Sequence, residues 1–187
     1  NSAFVERAWR IFEAADWNIR TTHVADGWDT EEEVANQLWA GQILFQFPLN
    51  SMGLPWPLKR YLDEVYTAGM DGRLSKGDGR SRKDPSRQYG SGGHLTETQY
   101  MLSLTLNAPR MAFGDPNQNF FEGRSVEDLL WPVHLNFRFF VCRPCRALRH
   151  MMFPRRRQSR QTSNASMRIC EARLACPPSN PQPDVRK

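Results

Sequence analysis

The first 141 residues of this 187-residue chain contain no cysteine. Disulfides and thiolate ligands therefore have no part in that region. No apolar run approaches the roughly 20 residues of a membrane span, which excludes a helical membrane crossing read from hydropathy. No internal repeat is present. An initiator Met and a secretory leader are both missing, and Asn1 runs directly into helix-like sequence, so the chain is expected to lack its own start. Tryptophan is absent after residue 131. That last gap marks a change of composition, because all four cysteines (Cys142, Cys145, Cys170, Cys176) fall where tryptophan stops.

Charge divides at the same place. Residues 1–140 carry 14 Lys and Arg against 18 Asp and Glu, a net of −4, whereas residues 141–187 carry 11 against 2, a net of +9. The overall +5 belongs to the tail, so it does not make the whole chain a nucleic-acid binder. Hydrophobic residues at 40% suffice for one domain with a real core.

Spacing supplies the elements. Phe4, Ala8, Ile11, Phe12 and Ala15 predict an amphipathic helix over 2–16. Residues 18–24 form a short run rich in Ile, Thr and Val, expected as a strand. Thr30 to Glu33 has the form of a capping box opening a helix with Val34, Ala35, Leu38 and Trp39 on its apolar face. Residues 42–47 suit a buried strand. Pro48, Pro55 and Pro57 then force a loop, and Pro57 suits the first turn of a helix bearing Leu58, Tyr61, Leu62, Val65 and Tyr66. Residues 69–99 lack periodicity, as a functional or disordered loop does. Residues 100–106 predict a second buried strand, and Ser125 a helix cap before Val126, Leu129, Leu130, Val133, Phe137 and Phe140. Such alternation predicts an α/β fold with a parallel sheet.

In that architecture ligands bind beyond the carboxyl ends of the strands. Two segments occupy this position: Pro48 to Gly53, and Thr105-Leu106-Asn107-Ala108-Pro109. Backbone N–H groups, small or amide side chains and apolar surface together suit a flat heteroaromatic ring with one polar edge. Ordinary strand-to-helix turns have the same composition.

The strings QFPLNSMGLPWPLKRYLDEVYTAG, GRSRKDPSRQYGSGG and YMLSLTLNAP resemble the flavodoxin-like NAD(P)H:quinone oxidoreductases, in particular their modulator of drug activity B group, and the likeness runs from residue 1 to about 140. The resemblance implies a three-layer flavodoxin-like fold of strand order 2-1-3-4-5, bound FAD, NADPH as hydride donor, two-electron reduction of a quinone, a homodimer and a cytoplasmic location. It implies that Pro48, Leu49, Asn50, Ser51 and Met52 lie against the isoalloxazine ring. Thr105, Leu106, Asn107 and Ala108 would line the ring's polar edge, and Tyr89 would contact the cofactor. Asn50, Ser51 and Leu106 stand where a family member has tryptophans, which reduces aromatic stacking. No catalytic acid or base and no metal ligand is assigned. His94 and His134 are possible proton donors or plain packing residues. Lys59, Arg60 and the basic residues of 73–87 could meet the 2′-phosphate of NADPH or simply face water.

Against this family frame the first strand is missing, so the run 18–24 has no neighbour joining it to 42–47, and the fifth strand is expected to be missing too. Residues 1–140 form the incomplete domain. Residues 141–187 form a basic, Cys- and Pro-rich tail, expected to be disordered and out of frame: one nucleotide lost after Phe140 allows codons that restore a Gly-Met turn, an apolar strand and a helix. A zinc site on the four cysteines matches no common spacing. A chain with both defects is expected to fold poorly and show little activity. Two other readings remain: a non-catalytic module docking through its tail, and an azo- or nitroreductase on the same scaffold.

Overall fold

The computed structural model describes residues 2–145. Its helices are α1 (Ser2–Ala14), α2 (Thr30–Trp39), α3 (Trp56–Ala68), α4 (Val126–Leu129) and α5 (Trp131–Phe139). Three strands, β1 (Gln42–Pro48), β2 (Gln99–Thr105) and β3 (Arg143–Pro144), form one parallel sheet in the order β1-β2-β3. No described helix is long and apolar enough to cross a membrane.

β1 and β2 pair over their full length, from Gln42 opposite Gln99 to Pro48 opposite Thr105. The crossover between them is α3, which buries Leu58, Tyr61, Leu62, Val65 and Tyr66, the face its spacing predicts. Pro57 sits in its first turn, where a missing N–H is harmless. Alternate residues of the strands meet the helices: Phe137 of α5 stacks on Tyr100 at 4.1 Å and lies 5.2 Å from Phe45 and 5.9 Å from Tyr66, ring centre to ring centre. This aromatic cluster is the centre of the core.

The structure corrects several expectations. α2 is capped by Asp29, whose carboxylate accepts the Glu32 N–H at 2.8 Å, and Thr30 is already helical. An aspartate one residue upstream is the stronger cap, and it leaves Glu33 free to turn inward. The expected strand over 18–24 is absent from the sheet, because no described strand offers it a ladder. The expected single helix after Ser125 breaks at Leu130. Pro132 cannot donate to the Asp128 carbonyl and its ring would clash with it, so α5 starts afresh. The Ser125 cap itself is present, as a reciprocal capping box with Asp128. The loop 69–98 folds back on itself. Asp78 O accepts from the N–H groups of Gly90 and Ser91, and Lys76 N–H donates to Gly92 O. Gly93 closes its base, where any Cβ would collide with the Phe140 backbone.

The fifth strand, expected to be lost, begins. Val141 takes a left-handed φ of 60°, Cys142 is buried and β3 follows, with Cys145 N–H donating to Tyr100 O at 2.8 Å. The rest of the tail expected from 141, including Cys170 and Cys176 of the four-cysteine set, lies outside the described residues.

Candidate active site at the carboxyl ends of the strands

The two segments singled out by sequence meet. Leu49 N–H donates to Thr105 O at 2.8 Å, which extends the β1–β2 pairing one step into the loops. Leu49 and Ala108 pack against the core, and Leu106 is 5% exposed. These anchors fix the floor of the site, while Asn50, Ser51, Met52 and Asn107 stand in solvent above it.

The first loop closes as a tight turn. Asn50 N–H donates to Gly53 O at 3.0 Å and Gly53 N–H to Asn50 O at 2.8 Å, with Ser51 at φ 45° and Met52 at φ 63° between them. Consecutive left-handed residues make the mirror-image turn that Asn-Gly normally supplies. Neither Ser nor Met favours this conformation, and each such residue costs on the order of 1–3 kcal/mol. Strain of this kind persists where surroundings over-determine it, here through the Leu49 bond and the reciprocal turn bonds.

The remaining candidates lie elsewhere. Tyr89 is 69% exposed, with its ring 5.7 Å from Phe139 and the Arg80 guanidinium 5.6 Å from its centre. Phe139 ends α5, from which the chain returns to pair Arg143 with Gln99 at the start of β2. Tyr89 therefore sits at the end of the sheet opposite the two turns, and the structure does not bring it to them within one chain. Lys59 and Arg60 are paired one helical turn on, with Asp63 at 2.6 Å and Glu64 at 2.7 Å. Arg73 bridges Glu31 and Asp71, and Arg80 holds Asp78. His94 is exposed, its Nδ1 3.1 Å from Arg73 O. His134 is a packing histidine: Nδ1 lies 2.6 Å from the Tyr100 hydroxyl and Nε2 2.8 Å from Glu127. Burial, with help from the neighbouring Cys142, pushes the Tyr100 hydroxyl up to about 12.

Sequence reasoning missed a second feature. Glu33, 6% exposed, accepts from the Tyr61 hydroxyl at 2.6 Å, from Thr22 at 2.6 Å and from Asn36 at 3.1 Å. Gln37 extends the network by donating to Tyr61 and accepting from Tyr66. Burial, then the bond to Glu33, pushes the Tyr61 hydroxyl well above its ordinary value. The available signal was spacing: Glu33 and Gln37 are four apart and flank Val34 on the face turned to α3. The network borders a cavity of about 490 Å³ between α1, residues 17–25 and β1.

A family model for the flavodoxin-like fold matches residues 4–167. An uncharacterised protein of Schizosaccharomyces pombe is 47% identical over 126 residues, covering 67% of this chain and 63% of that protein. The NADPH:quinone oxidoreductase MdaB of Haemophilus influenzae is 38% identical over 134 residues, covering 72% of this chain and 69% of MdaB. The chain thus spans about two thirds of the length of these relatives. Among solved structures, a putative quinone reductase of Klebsiella pneumoniae aligns with a TM-score of 0.70 at 16% identity, over 92% of this chain and 77% of that one. That likeness concerns the fold. With a parallel sheet and a family model matched over residues 4–167, this chain belongs to the flavodoxin-like fold family that includes MdaB.

Proposed function

We propose that the chain is an FAD-dependent NAD(P)H:quinone oxidoreductase, cytoplasmic and active as a homodimer. The observation that carries this reading is the joining of the Pro48–Met52 and Thr105–Ala108 segments through the Leu49–Thr105 hydrogen bond, at the sheet end where α/β folds bind ligands.

The residues present fit a flavin. Leu49 and Ala108, half-buried over the buried Leu106, offer an apolar floor, and the left-handed turn lifts Met52 beside it. The N–H groups of Asn107 and Ala108 have no hydrogen-bond partner among the described residues, as suits the polar edge of a ring. A bound flavin supplies hydride acceptance from NADPH and two-electron delivery to a quinone. This chain's part is to seat the ring on Leu49 and Ala108 and to set polar N–H groups where negative charge develops. The strained turn keeps Asn50 and Ser51 in place without further ordering on binding. Smaller side chains than tryptophan at 50, 51 and 106 leave the ring face more open to the acceptor.

Tyr89 enters this reading through the dimer. Its own subunit's turns are at the far end of the sheet, so a cofactor contact by Tyr89 is made to the flavin of a second copy. The test is titration of the purified chain with FAD and with FMN, followed by NADPH-dependent reduction of a quinone. Stoichiometric FAD retained on gel filtration, with turnover, is expected. Failure to bind either flavin overturns the proposal. Within it, Tyr89→Ala is expected to weaken FAD binding about tenfold in the dimer, whereas unchanged binding removes Tyr89 from the site.

A further inference from the structure

The chain has four tyrosines and six tryptophans, all within the described residues. The tyrosines differ in two respects that govern one-electron chemistry: whether a neighbouring base can take the phenolic proton, and whether a second oxidisable ring lies in contact. Tyr66 donates to the Gln37 amide oxygen, which is no base, and its ring meets Phe137 and Phe140. Tyr89 stands in solvent between Phe139 and Arg80. Tyr100 has His134 Nδ1 2.6 Å from its hydroxyl, but its ring contacts are Phe137 and His134 itself. Tyr61 meets both conditions. Its hydroxyl donates to Glu33 Oε2 at 2.6 Å, and its ring lies edge to face with that of Trp28, 5.4 Å between centres at 74°.

The polar atoms around this pair are unequal. On the Tyr61 side, Glu33 Oε1 accepts from Thr22 and Asn36, while Oε2 accepts from the phenol. An O–H···O⁻ bond of this length is charge-assisted. Gln37 Nε2 donates to the Tyr61 oxygen at 3.0 Å, so that oxygen keeps a donor when its own proton leaves. On the Trp28 side, the indole Nε1–H is buried and has no acceptor among the described residues. The Arg60 guanidinium lies 5.4 Å from the Trp28 ring centre, and a cation there opposes positive charge on the indole. Trp28 is half-buried, whereas Tyr61 is 4% exposed.

We propose that Trp28 and Tyr61 form a one-electron relay, in which an electron vacancy made on the half-buried indole passes inward and settles on Tyr61 as its proton moves to Glu33. The oxidant is an oxygen-centred organic radical that meets Trp28 from solvent. It takes one electron from the indole and one proton from water. Tyr61 then gives one electron to the Trp28 radical cation, while its O–H bond breaks and the proton goes to Glu33 Oε2. Trp28 is restored, and the products are a neutral Tyr61 phenoxyl radical and a neutral Glu33 carboxylic acid. The step cancels the indole's positive charge and the carboxylate's negative charge together, so no new charge is buried. Prior ionisation of the phenol is closed, because burial and Glu33 hold the hydroxyl well above its ordinary value. Trp28, with no acceptor for its N–H and a cation beside it, passes the vacancy on rather than keeping it. The relay needs no bound flavin.

Flash photo-oxidation of the full chain by tris(bipyridine)ruthenium(III) tests the relay, with the radicals identified by transient absorption and electron paramagnetic resonance. Tyr89→Phe is the background for every arm, because Tyr89 is open to direct attack. A tryptophan radical that gives way to a tyrosyl radical is expected, with the conversion slower in heavy water because the proton moves with the electron. Tyr61→Phe is expected to lose the tyrosyl signal and keep the tryptophan one. Glu33→Gln preserves the shape but takes no proton, and the same loss is expected. Trp28→Phe is expected to lose tyrosyl formation while the other tryptophans still oxidise, and Tyr100→Phe to change nothing. A background protein that forms no tyrosyl radical overturns the relay, as does a tyrosyl signal that survives Tyr61→Phe or disappears with Tyr100→Phe. Equal rates in light and heavy water overturn the part given to Glu33. Should Tyr61→Phe or Glu33→Gln fail to fold, the isotope effect and Trp28→Phe decide, and a tyrosyl signal unchanged by Trp28→Phe overturns the relay.

Discussion

Single residues decide the two polar features of this molecule. Ser51 and Met52 hold left-handed backbone that glycine adopts freely. Met52→Gly is expected to stabilise the chain by about 0.5–1 kcal/mol in urea unfolding, the relief of strain being partly offset by the greater entropy of the unfolded glycine. Tyr61→Phe removes the donor to a buried carboxylate and is expected to cost about 1–3 kcal/mol, read by the same measurement. Burial pushes the Cys142 thiol from its ordinary value of 9.0 up to about 12. The folded state thus keeps a proton that the unfolded chain releases. Stability from this group is intact below pH 9 and is lost as pH rises toward 12. Tyr100 adds to the loss at the upper end of that window. Urea midpoints measured from pH 8 to 12 are expected to fall, and Cys142→Ala is expected to flatten the fall.

At the scale of elements, sequence patterns told most where one face is buried against one neighbour. The apolar stripe of α3 and the runs 42–47 and 100–106 were legible because burial on known faces leaves a period in the sequence. The strand over 18–24 was not, since Ile, Thr and Val favour extended backbone but cannot supply the partner that makes a strand. The Pro48 and Thr105 turns were legible from position alone. The place of Tyr89 was not legible, because a 30-residue connection carries no information about which end of the sheet its tip reaches. The Glu33 network was invisible because a glutamate in a first helical turn ordinarily faces water and the helix dipole. The choice of cap can be checked directly: Asp29→Ala is expected to cost about 1 kcal/mol, while Thr30→Ala leaves thermal stability almost unchanged.

For the whole molecule, the aromatic cluster joins all of the layers that are well packed. Phe137→Ala empties its centre and is expected to cost about 3–5 kcal/mol, with loss of the cooperative near-ultraviolet transition. The sheet is tied on one side only: β2 has neighbours on both edges, whereas β1 has none beyond β2 among the described residues. An edge of this kind is a template for pairing with another chain. Light scattering on warming is therefore expected to rise before the core melts.

The pairing of Gln42 with Gln99 sets a clock for biosynthesis. Parallel strands cannot zip from a hairpin, so β1 leaves the ribosome without its β2 ladder until β2 follows it. At about 5–20 residues per second the delay is roughly three to eleven seconds. Over that interval the β2-facing edge of the apolar run from Ile43 to Phe47 stays unpaired, which makes translation speed between these two strands a determinant of yield.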